Sequence, residues 1–374
     1  MHIRVALLGL ALLLTPFLAA AQMLVPDTEI LAKAQVLSVS GERTEEVLGT
    51  GTVRPVQTLT VEVLDGPEKG ETVTFVNDFT QLKEGDVFYL RHITSPSEGT
   101  EFYSMADPYR LPVLAALFAV FLALLLLFGG LQGLRGLAAL AGSLALIFYL
   151  LLPGIASGFS PVLVAVGVSS LIIVMGSYVT HGFNRTTTSA VFGMIATVVL
   201  TGLAAWYAVD AALLSGFHSD EATQLYFQFD GSLDLVGILM SGILIGLLGV
   251  LYDAAIGQAV SVEELMRAGK HLTRRQVYAR AIRIGREHIG ALVNTLAIAY
   301  VGAALPLFLL LEHSTAPWGY ILNGEVFATE IVRILIGSMG LILAVPITTL
   351  IAVFFIRSEG AVARNAVPHR HNHQ

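Results

Sequence analysis

The sequence predicts a polytopic α-helical membrane bundle of about seven spans, preceded by a small all-β extracytoplasmic N-terminal domain. Composition gives the first reason. Of 374 residues, 55% are hydrophobic and only 13% charged, with mean hydropathy +0.74; a soluble protein carries about 25% charged residues. The deficit is local: residues 22–108 look like ordinary soluble protein, whereas 109–356 consist largely of apolar runs of spanning length. Orientation is the third signal, because Lys and Arg fall on alternate sides of those runs.

Residues 1–21 read as an export signal. Arg4 supplies the positive start, Val5 to Leu18 the apolar stretch, and Ala19-Ala20-Ala21 a small-residue cleavage site before Gln22. An uncleaved signal anchor is the rival reading. Either one places Gln22 outside the cytoplasm of a bacterial cell. Residues 22–108 then alternate apolar and polar positions in short runs, at 34–40, 56–64, 71–77 and 86–93, separated by Gly66-Pro67, Lys69-Gly70 and Glu84-Gly85-Asp86. Four or five strands suit a β-barrel-like domain, OB-like or SH3-like. Its expected role is to cap or dock for the membrane part, or to sense a ligand.

A span needs about 20 apolar residues. Seven runs qualify: 111–130, 133–153, 159–179, 187–208, 234–257, 289–311 and 331–355. The intervening segments 154–158, 209–233 and 312–330 contain no Lys or Arg, whereas the opposite turns carry Arg135, Arg185 and a basic loop, 261–288. The expected location is therefore the bacterial cytoplasmic membrane, with the β domain outside and the tail 357–374 inside. The basic loop, with Leu265, Leu272, Val277, Ala281 and Ile284 as its apolar positions, suits a helix lying on anionic headgroups, or a gate or docking site that includes Arg283, Arg286 and His288.

The fifth run carries the strongest pointer to function. Gly242, Gly246, Gly249, Asp253, Gly257, Ser261 and Glu264 recur at steps of three and four, a stripe on one side of a helix that would be aimed at a neighbour. An acid in such a segment costs roughly 2–4 kcal/mol unless it meets a partner or water. The sixth run offers Asn294 and Thr295, and the seventh Thr348 and Thr349, at a comparable depth. Two readings stand: these groups bind the helices together, or they form an inward-facing ion or proton site with Asp253 at its centre. At the other end of the seventh run, Glu330 and Arg333 are spaced to pair, as structural support or as an outer gate. Pro306 and Pro346 should each kink a span.

Several chemistries are excluded or unsupported. Cysteine is absent, so disulfides, zinc–thiolate sites and thiol nucleophiles are excluded. A net charge of −7 argues against nucleic acid as a partner. No GxSxG, HExxH or paired intramembrane aspartates occur, so no enzyme activity, cofactor or metal is expected. His369, His371 and His373 read as part of a plain tail. Expected partners are the bilayer, a small ion or small molecule, and a second copy or another protein.

Three ordered blocks resemble the YibE/F family of bacterial multispanning membrane proteins. They are GVLYDAAIGQAVSVEEL (249–265), GREHIGALVNTLAIAYVGAALPLFLLL (285–311) and EIVRILIGSMGLILAVPITTLIA (330–352). The family's marked positions coincide with Asp253, Glu264, Arg286, His288, Asn294, Thr295, Glu330, Arg333, Pro346 and Thr349. Tyr252 departs from the pattern, standing where many members have a second Asp, which argues against a two-carboxylate metal site. The resemblance implies the topology above and no substrate. From residue chemistry the expectation is a transporter or permease; the alternative is a sensor or scaffold whose β domain docks a ligand or partner.

Overall fold

The computed structural model describes residues 28–47, 49–95 and 99–356; the signal or anchor at 1–21 and the tail 357–374 lie outside them. The chain divides into two compact units, 1–123 and 124–374.

The first unit holds five antiparallel strands: β1 (Thr28–Val47), β2 (Thr52–Val63), β3 (Thr72–Asn77), β4 (Val87–Ser95) and β5 (Thr100–Pro108). Their order is β3-β2-β1-β4-β5, and β3 also touches β5, so the sheet curls until its two edge strands meet. The 20-residue β1 makes this possible by pairing with β2 along most of its length and with β4 over its first half. Register shifts after Val36 and after Ser40, with Gly41 at φ 60°, bend the strand between those partners. Alternation places Ala32, Ala34, Val36, Leu59, Val61, Val63, Phe88 and Leu90 in one core. β5 is the strand that the alternation pattern had not resolved individually.

Helices follow: α1 (Leu111–Leu146), a π turn (Ile147–Leu151), α2 (Leu152–Ala156), α3 (Pro161–His181), α4 (Arg185–Ala211), α5 (Asp220–Gln228), α6 (Leu235–Ala268), α7 (Arg274–Ala303), α8 (Leu305–Glu312), α9 (Trp318–Asn323) and α10 (Glu325–Phe355). Among the described residues, five helices or helical runs are long and apolar enough to cross a membrane. A sixth is reached if α7 and α8, bent by 67°, count as one span. This differs from seven because Leu111–Ala156 forms one 46-residue run, about 69 Å at 1.5 Å per residue and more than twice the hydrocarbon thickness. The run breaks at Gly130 (φ 52°, ψ −142°). A Cβ on Gly133 would stand 2.9 Å from the Leu125 carbonyl oxygen, an approach that a straight helix forbids between residues eight apart.

The two prolines act differently. Pro306, in the first turn of α8, follows the break after Ala303, whereas α10 runs unbroken through Pro346. The basic segment 261–288 is a loop only over 269–273; α6 and α7 extend into the remainder. Val262, Met266, Val277 and Ala281 continue the packed stripes of those helices. Arg267 pairs with Glu263 at 2.9 Å and with Glu264 at 3.2 Å, and Thr273 and Gln276 form a capping box.

α10 packs against α4, α6 and α7. Toward α4 it makes a close antiparallel seam in which Thr348 sits on Gly193 and Thr201 on Gly340; a Cβ on either glycine would collide with the facing threonine. Small residues permit that approach, and dispersion over the contact stabilises it.

Candidate functional site

A cavity of about 270 Å³ lies between α6, α7 and α10. α6 supplies Asp253, Gly257 and Ser261 at successive four-residue steps, with Ala254 and Gln258 on the adjoining row; α7 supplies Gly285, His288 and Leu292; α10 supplies Val345. Asp253 and His288 line this space and are exposed, whereas Gln258 is 4% exposed.

Gln258 ties the three helices together. Its Nε2 donates to the Ala281 carbonyl at 2.8 Å and to Thr349 Oγ1 at 2.7 Å. Thr349 in turn donates to the Val345 carbonyl at 2.6 Å. Gly285 makes room for this: a Cβ there would run into Val345 and stand 2.8 Å from Gln258 Oε1. Ser261 donates to the Gly257 carbonyl at 2.9 Å. The wall therefore combines one carboxylate, one amide, one hydroxyl and one imidazole, groups that can hold a cation or pass a proton. Among the described residues, no cluster of three His, Asp or Glu is placed to hold a metal ion.

The sequence-derived candidates separate. Asp253 and His288 line the cavity, and Thr349 supports it through Gln258. Asn294 and Thr295 do not; both are exposed, and Thr295 bonds only the Ala291 carbonyl of its own helix at 2.9 Å. Helical rotation explains Asn294. The packed side of α7 runs through Val277, Ala281, Gly285 and Leu296, so a residue two positions before Leu296 points away from it. Thr348 is fully buried on Gly193, and its hydroxyl has no partner. Glu264 is exposed and paired with Arg267. Arg283 and Arg286 are exposed on the side of α7 away from Ala281 and Gly285.

The small-residue stripe also departs from expectation. Gly242, Gly249 and Gly257 have nothing within 4 Å of where a Cβ would stand, so they leave space along α6 instead of seating a neighbour. Gly246 is the exception, meeting the Tyr300 hydroxyl. Tyr300 leads to the other end of the bundle, where the Arg333 guanidinium stands 5.8 Å from the Tyr300 ring centroid and pairs with Glu330 at 2.9 Å. Nearby, Glu325 accepts hydrogen bonds from the Ser215 backbone (2.8 Å), the Ser215 hydroxyl and the Gly216 backbone (2.7 Å), fixing that loop to the start of α10.

Gln258, Tyr300 and Glu325 escaped sequence reasoning. For Gln258 a signal existed: it is the single amide in the apolar run AAIGQAV, and an amide without a partner there is costly.

No curated protein and no solved structure matches this chain. A family model described as YibE/F-like protein matches residues 117–358, well over half of the chain, and the protein belongs to that family.

Proposed function

We propose that this YibE/F-family protein is a permease of the bacterial cytoplasmic membrane whose ion- or proton-linked site is the cavity between α6, α7 and α10. Asp253 is the group that carries the charge. The supporting observation is its position: a carboxylate within a strongly apolar helix lines a cavity alongside Gln258, Ser261 and His288. An acid facing lipid would cost roughly 2–4 kcal/mol, and a polar cavity removes that cost. The reading has seven crossings, counting one on either side of Gly130, with the barrel outside and the basic turn 269–273 and the tail inside. Lys-free and Arg-free segments at 154–158, 209–233 and 312–330 support that orientation. Glu330–Arg333, packed beside Tyr300, is the outer latch of the same bundle. No catalytic step is assigned.

Purified protein in liposomes tests this. Wild-type vesicles should show proton- or cation-coupled flux, and Asp253→Asn should abolish it while the thermal unfolding midpoint stays within a few degrees. Equal flux in wild type and variant would refute the assignment.

A second reading, a docking or sensing barrel, draws on Phe79 and Phe102, which are 66% and 62% exposed. Deleting residues 22–105 separates the two: a permease retains flux, whereas a sensor loses a co-purifying partner.

A further inference from the structure

We propose that the α6–α7–α10 cavity binds a small protonated primary amine, an assignment that rests on the permease reading above. Gln258 supplies the reason. Thr349 uses its hydroxyl proton on the Val345 carbonyl, so toward Gln258 it can only accept, and the Ala281 carbonyl likewise only accepts. Both contacts therefore require the amide nitrogen, and they use both of its protons. This fixes which way the amide points, an assignment that rests on the hydrogen-bond network alone. The oxygen remains unused and faces Gly285, in the cavity wall.

The other groups repeat that polarity. Ser261 directs its proton back to Gly257, leaving its lone pairs for a ligand. An ionised Asp253 likewise only accepts. A ligand suited to this wall brings donors and a positive charge. The free Gln258 oxygen and the Asp253 carboxylate offer a neutral and a charged acceptor on the same cavity wall, and an –NH3+ group carries three N–H donors. About 270 Å³ also exceeds the needs of a bare ammonium, since a water occupies about 30 Å³. Ala254, Leu292 and Val345 complete the wall with apolar surface fit for a short alkyl chain.

Calorimetry on the purified full chain in detergent tests this with n-butylammonium and tetramethylammonium, which share a charge but differ in N–H donors. n-Butylammonium should bind at least tenfold more tightly. Asp253→Asn, an isosteric change that keeps the fold, should remove that binding. Equal affinity for the two ions, or n-butylammonium binding unchanged in Asp253→Asn, overturns the proposal. The two readings fail separately. Asp253-dependent flux without n-butylammonium preference overturns only the substrate class. Asp253-dependent n-butylammonium binding without flux overturns the permease and leaves the site.

Discussion

α10 meets α4 on one side and encloses the cavity with α6 and α7 on another, and small residues serve opposite purposes on the two. Against α4, Gly193 and Gly340 are filled: each receives a threonine from the opposite helix, and Ala344 between them is fully buried. Beside the cavity, Gly257 has an empty surround, and Gly285 yields its side-chain space to Gln258 and Val345. Spacing of glycine is the same signal in both places. The difference lies in what the partner helix offers, a β-branched side chain in one case and a carboxylate-bearing gap in the other. A small-residue stripe therefore marks a close approach or a hollow, and only the facing helix decides which.

The largest expected effect comes from filling the dry side. Gly193→Leu forces α4 off Thr348 and should destabilise the bundle by about 3 kcal/mol, since overpacking costs about 1–3 kcal/mol and here backbone also stands in the way. Reversible unfolding in mixed micelles measures it; a loss below 1 kcal/mol would mean the seam is loose. Next is Gln258→Leu, which removes the buried hydrogen bonds to the Ala281 carbonyl and to Thr349 and should cost about 2 kcal/mol by the same assay. A neutral result would show that the amide is not holding three helices. The smallest change is Gly242→Ala, which enters open space and replaces a poor helix former; it should be neutral or stabilising by up to about 1 kcal/mol. Destabilisation there would reveal a neighbour pressed against α6.

Much of this architecture was legible in the residues. The strand run at 34–40 falls within β1 and that at 86–93 begins one residue before β4, and the apolar runs at 187–208 and 331–355 fall within α4 and α10. Local patterning sufficed because each strand or span hides its own backbone polar groups by one repeating rule. The candidate site was less legible, for reasons of rotation. Depth along a helix can be counted from sequence, so Asp253, Asn294 and Thr348 could be set at similar levels. The angle around the axis depends on which neighbour packs where, and that sends Asn294 outward and Thr348 to α4. Gln258 lies off the stripe of Gly242 to Glu264, on the adjoining row, so the spacing of that stripe does not single it out. A buried amide with two acceptors shapes the cavity as firmly as the acid does.

The absence of cysteine makes one measurement direct. Gly257→Cys places a thiol in the cavity and Ala344→Cys places one in the α4 seam, each in an otherwise cysteine-free chain. Inside-out vesicles are then exposed to a membrane-impermeant thiosulfonate. If α10 has a wet side and a dry side, the cysteine at 257 labels within minutes, at least tenfold faster than the one at 344. Equal rates at the two positions, or a cavity thiol that stays unlabelled, would mean that no aqueous pocket surrounds Asp253.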